Sequence, residues 1–224
     1  MIENSNVRVN VINKFYSYIK EKYKFVLGFI IAIFLIFVIY QYYSFYLKNN
    51  ILKNSISYFN SNELEPNEDY FELIKKLSEN KDFYSIISSF EIINIYIKDK
   101  RYDEANELYF ELLKQKDLDK IYKAAIAAHA SYNNLNVIFE TSNLKLKGNI
   151  DEFIKNIDDD LEAYKGIKLE IKYLLSVSEQ DINNISPKND VKTNELYNLI
   201  QEAENVSSKI KERVKKIHEF QIYK

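Results

Sequence analysis

From Phe25 to Leu47 no position is charged and none is proline: FVLGFIIAIFLIFVIYQYYSFYL. Wound as a helix, these residues reach about 34 Å, enough for a hydrocarbon core of about 30 Å. From residue 48 onward the pattern changes. Apolar positions recur at i, i+3, i+4 and i+7 between charged ones, the period of amphipathic helices. The pattern predicts an all-α chain of three parts: a basic tail over 1–24, a transmembrane helix over 25–47, and a helical domain over 48–224.

The outer segments follow from the same period. Ser44 to Asn60 continues the membrane helix, with Leu47, Ile51, Leu52, Ile56 and Phe59 on one side. Pro66 suits the first position of a second helix. Asp82 is placed to cap a third, whose apolar positions are Phe83, Ile86, Ile87, Phe90, Ile93 and Ile97. Ile92, Ile95 and Tyr96 widen that stripe, which predicts cover on two sides. A turn at 98–101 leads into a fourth helix with Tyr102, Ala105, Leu108, Tyr109, Leu112 and Leu113 on one face. The next helix, 121–139, holds five of the chain's nine alanines within AAIAAHA, and small side chains let helices approach closely. A turn is expected over 143–149 around Gly148, then a short helix over 150–157. Asp158, Asp159 and Asp160 stand where a cap and dipole-favoured acids would begin the following helix. Residues 178–190, with Pro187, read as the longest loop. Helices over 191–203 and 206–220 close the chain.

The flanks orient the apolar helix. Arg8, Lys14, Lys20, Lys22 and Lys24 precede it, whereas only Lys48 and Lys53 follow before Glu63. Basic flanks stay on the cytoplasmic side, so the N-terminus is expected inside and residues from Lys48 outside. Tyr40, Tyr42, Tyr43 and Tyr46 suit an outer interfacial belt. A cleavable signal peptide would need an apolar core of about 7–15 residues and a small-residue cleavage site; this run is longer and is followed by bulky Tyr and Phe.

Composition narrows the chemistry. Residues 1–47 carry a net charge of +3 and residues 48–224 one of −5, so the domain offers nucleic acid no bulk attraction. The chain has no cysteine, which removes disulfides, thiolate metal sites and a cysteine nucleophile. Three glycines and two prolines are too few for a many-stranded β fold. No phosphate loop, nucleophile elbow or zinc-protease motif is present, and no cofactor is expected. With His129 and His218 far apart, a zinc site has little to build on. His129 reads as a hydrogen-bonded or rim histidine and His218 as a positive charge at a helix C-terminus. Lys209, Lys211, Arg213, Lys215 and Lys216 make the last helix basic, by default a solvated face.

Helix pairs joined by short turns invite a test for repeats. Ile92-Ile93 and Ile126-Ala127 lie 34 residues apart, the tetratricopeptide period. Setting Ala105 at the small position of the second helix puts Tyr96, Tyr102 and Tyr109 at the three aromatic positions. Ile93, Ser89 and Asp117 stand where Gly or Ala, Trp and Pro are usual. One recognisable repeat is therefore expected within a stack of degenerate ones. In such stacks the first helix of each pair faces a concave groove. Ile87, Phe90, Asn94 and Ile97 are the candidate protein-binding residues on that basis.

The entry Lys22-Tyr23-Lys24-Phe25-Val26-Leu27-Gly28, the exit YQYYSFY and the helix RYDEANELY at 101–109 together resemble the YfgM-type family, ancillary subunits of the bacterial Sec translocon. The order of parts carries the resemblance over most of the chain. It implies a non-enzymatic, single-pass inner-membrane protein with a periplasmic tetratricopeptide-like domain. Its implied partners are the Sec translocon channel and a membrane-anchored periplasmic chaperone of the peptidyl-prolyl isomerase type, to which secreted proteins are handed over. Two other readings remain open: a scaffold for another envelope assembly, and a structural oligomer that pairs with itself through the span or through helix 83–97.

Overall fold

The computed structural model describes residues 3–61, 63, 67–80, 82–116 and 118–223. Among these it has nine α-helices and no strand. They are α1 (Glu3–Ser61), α2 (Glu68–Ser78), α3 (Phe83–Lys98), α4 (Tyr102–Leu113), α5 (Lys120–Thr141), α6 (Lys147–Lys155), α7 (Glu162–Ile182), α8 (Val191–Glu202) and α9 (Ser208–Tyr223). Two compact units, Met1–Ser88 and Ser89–Lys224, meet inside α3.

In the first unit α1 is a single helix of 59 residues, broken only by non-helical backbone at Lys22. Its stretch Lys20–Ser61 is long and apolar enough to cross a membrane, and none of the most apolar window is buried. The apolar helix continues outward without interruption, as the periodicity predicts. The face it turns inward is polar. Asn54 donates to Asp82 (2.7 Å), Tyr58 packs its ring near Tyr84, and Ser61 is fully buried. Ile51, Leu52, Ile56 and Phe59 are exposed. Pro66 lies outside the described residues. Helix α2 starts at Glu68 behind Asn67, whose side chain accepts from the Tyr70 N–H. Asp82 caps α3 as expected, accepting from the Ser85 N–H at 3.0 Å.

In the second unit the turn after α3 closes with Lys100 in the left-handed region, and Arg101 lies over the Tyr96 ring at 4.3 Å. Helix α5 packs on α4, α6 and α7, and α7 packs on α5, α8 and α9. Phe110 of α4 stacks on Phe153 of α6, 4.5 Å between centroids. Ile92, Ile93, Ile126 and Ala127, the pairs spaced 34 residues apart, are all buried. Tyr173, Val177, Ile200, Val206, Ile210 and Val214 form a core between α7, α8 and α9. Outward, α9 is solvated and pairs Lys216 with Glu212.

Three expectations are corrected here. Gly148 does not sit in a turn: Leu144–Leu146 forms a 3-10 turn and α6 begins at Lys147. The segment 178–190 is not one long loop, because α7 runs to Ile182. Its polar residues Ser176, Ser178 and Gln180 are buried rather than solvated, and Ser176 and Ser178 donate back to the carbonyls of Tyr173 and Leu175. The three aspartates do not cap α7, which starts behind Leu161 with no side-chain cap. Asp158 instead accepts from Lys120 and the Asp160 N–H, and Asp159 from Lys168. Those lysines hold both carboxyls below the ordinary carboxylate range.

Gly166 allows the close approach of α7 to α9. A β-carbon there would lie 3.2 Å from Ile210 Cδ1 and 3.3 Å from Val206 Cγ1. Gly166→Val is expected to destabilise the protein by about 1–3 kcal/mol through overpacking, despite the loss of a helical glycine. Thermal unfolding checks this; an unchanged or raised midpoint would show that the contact gives way freely.

Candidate protein-binding surface

Three of the four predicted groove residues, Phe90, Asn94 and Ile97, lie in the second unit; Ile87 belongs to the first. Phe90 and Ile97 are half-buried and Asn94 is exposed. The more buried side of α3 carries Ser85, Ser88, Ser89, Ile92 and Ile93. The candidate residues therefore occupy the less covered side of the helix.

Helix α5 supplies the neighbouring wall, and sequence reasoning did not assign it to the site. The Phe90 ring meets the His129 ring edge-on at 5.0 Å, and both lie near Tyr109. The residue whose ring faces Phe90 is thus His129. Asn133 donates to the Tyr109 hydroxyl at 2.7 Å, and that hydroxyl lies 2.6 Å from His129 Nδ1. Burial raises the Tyr109 pKa, so the phenol keeps its proton. It accepts from Asn133 and donates to a neutral imidazole. Deeper in, Asn106 and Asn134 exchange two amide hydrogen bonds, 3.1 and 2.7 Å, and join α4 to α5. The space beside these groups, bounded by Ile97, Tyr102, Asn106 and Asn133, is about 10 Å³, at most one water. The surface is a strip of aromatic and amide groups with no deep cavity.

Both histidines depart from their ordinary pKa in the same direction. Burial lowers His129 and His218. For His218 this corrects the expected positive charge. Its ring stacks on Tyr197, 3.9 Å apart and 10° from parallel, and the burial that goes with this packing outweighs the opposing pull of Glu219. A depressed folded pKa gives stability that is present above the ordinary histidine value of about 6.5 and is lost as pH falls below it. In NMR titrations both imidazoles are expected to protonate below about 6.5. A value above that for His129 would contradict its burial against Phe90 and Tyr109.

The basic face of α9 is also reassigned in part. Arg213 forms a two-pronged pair with Glu170, Nε to Oε1 at 2.5 Å and Nη2 to Oε2 at 2.6 Å. Lys211 donates to the Gln201 carbonyl. Both are engaged by partners within the chain. Among the described residues, no group of three or more His, Cys, Asp or Glu side chains is gathered where it could hold a metal. Comparison with known proteins gives no match, whether to a family model, a curated protein or a solved structure.

Proposed function

We propose that this chain is a membrane-anchored protein-binding scaffold of the bacterial inner membrane, with its N-terminus in the cytoplasm and its helical domain in the periplasm. It works at the Sec translocon and assists the handover of secreted proteins to a membrane-anchored folding factor of the peptidyl-prolyl isomerase type. The observation that carries the anchor is α1, whose uncovered apolar run joins the helical part without a break. The tetratricopeptide-like reading of the second unit is supported by alternate-helix packing: α5 on α7, α7 on α9, and α4 on α6 through Phe110 and Phe153. Tethering such a surface beside the channel raises its effective concentration near emerging chains, to about millimolar where geometry permits.

The reading is of binding, not catalysis. The polar groups of the strip already hydrogen-bond one another beside a half-buried Phe90, and Asn94 on the same helix is exposed, an arrangement suited to an unfolded segment. In-cell photocrosslinking from a probe at Phe90 tests it. Adducts with the Sec channel, a folding factor or nascent secreted chains are expected. Adducts confined to other envelope proteins would replace the translocon with a different envelope assembly. Orientation has its own test. Asn143 is exposed, and in this cysteine-free chain Asn143→Cys gives a single thiol. A membrane-impermeant thiol reagent is expected to label it in intact spheroplasts; failure to label would reverse the topology.

A further inference from the structure

From the end of the apolar run outward, α1 presents an uncovered seam. Phe45, Leu52, Ile56 and Phe59 are 66%, 56%, 52% and 60% exposed, and Asn49 is exposed between them. Positions 45, 49, 52, 56 and 59 alternate in steps of four and three, the a/d spacing of a two-stranded coiled coil, with Asn49 at an a position. The opposite side of the helix is occupied within its own unit, through Asn54 to Asp82 and Tyr58 to Tyr84. Lipid does not reach the outer half of the seam, Ile56 and Phe59, although Phe45 lies in the apolar run and Asn49 and Leu52 at headgroup depth. Phe59 stands about 18 Å beyond Leu47 along the helix, and the headgroup layer adds only about 5–8 Å to each side of the hydrocarbon core.

From this spacing and exposure, we infer that the seam is an interaction surface for a second copy of this chain, paired as a parallel coiled coil from Phe45 to Phe59. The inference rests on the membrane-anchor reading, because insertion in one orientation makes two copies parallel and level. That alignment sets Asn49 beside the second copy's Asn49, where two amides can bond each other. A buried asparagine pair at an a position selects this register and two strands over others. Lys48 and Lys53 flank the seam at g and e positions. In the parallel register Lys48 faces the second copy's Lys53, and their repulsion limits the strength of the pair. The scaffold is thereby presented as two copies held side by side at the membrane surface.

Single cysteines in the full-length, cysteine-free protein test this in native membranes under oxidation. Leu52→Cys and Ile56→Cys are expected to form disulfide dimers about ten-fold more than Ile51→Cys, which is exposed but off the seam. Adding Lys53→Glu to Leu52→Cys turns the facing charges attractive and should raise the dimer yield about five-fold at limiting expression. Equal yields at Leu52 and Ile51, no dimer at either, or no response to Lys53→Glu would overturn the inference. Carbonate extraction separates the two readings. An inserted chain without seam crosslinks removes the dimer and leaves the anchor. A chain extracted from the membrane removes both.

Discussion

Arg213→Met is expected to cost about 3 kcal/mol of stability, far more than a surface ion pair would. The two partners are unequal. The Glu170 side chain is completely sealed from solvent, whereas that of Arg213 is 56% exposed. Removing the arginine strands a buried carboxylate whose remaining donor is the Tyr132 hydroxyl at 2.6 Å. Glu170→Gln, which keeps the shape and an acceptor, should cost less, about 1–2 kcal/mol. Replacing both members by apolar residues, Glu170→Leu with Arg213→Met, should recover much of the loss, because no charge is then left uncompensated. Thermal unfolding of the full-length protein in detergent gives the ranking. A single Arg213→Met variant as stable as the parent would mean that the pair acts as an ordinary solvated one. The triad also has a geometric role, since Tyr132, Glu170 and Arg213 come from α5, α7 and α9 and tie three helices at one point.

Phe153→Ala should be the most damaging core substitution, at about 3–5 kcal/mol. The ring is fully buried, stacks on Phe110 and meets Tyr109 edge-on at 5.8 Å. Helix α6 has only nine residues, too few to hold its own shape without packing. The loss is therefore expected first as local opening of α6, seen as faster amide exchange over Lys147–Lys155, before global unfolding. Phe153→Leu retains most of the volume and should cost under about 1.5 kcal/mol. Unchanged exchange in α6 for Phe153→Ala would place its anchor elsewhere.

The all-helical class was legible from the apolar period, and boundaries were legible where local chemistry marks them. Asp82 is an example: a capping side chain three residues before the amide it binds. Reading failed where a polar residue is used indoors. Ser178 and Gln180 resemble a loop because periodicity equates polarity with exposure, yet they are buried within α7. The aspartates at 158–160 carry the signature of a cap, but lysines from α5 and α7 claim two of them first. In the candidate surface, Ile87, Phe90, Asn94 and Ile97 come from the repeat alignment of α3, whereas His129 and Asn133 lie beside Phe90 or Tyr109 through a tertiary register that no local pattern encodes. Glu170 and Arg213 lie 43 residues apart, and nothing in either neighbourhood announces the other.

The continuity of α1 has a mechanical consequence. The segment 48–61 extends about 21 Å past the apolar run with no break in the helix, so with that run anchored in a bilayer, as proposed, it would act as a lever arm. A tilt change of about 20°, within the range membrane helices adopt as bilayer thickness varies, sweeps its far end through about 7 Å. On the proposed anchoring, the first unit would convert bilayer thickness into displacement at its outer end.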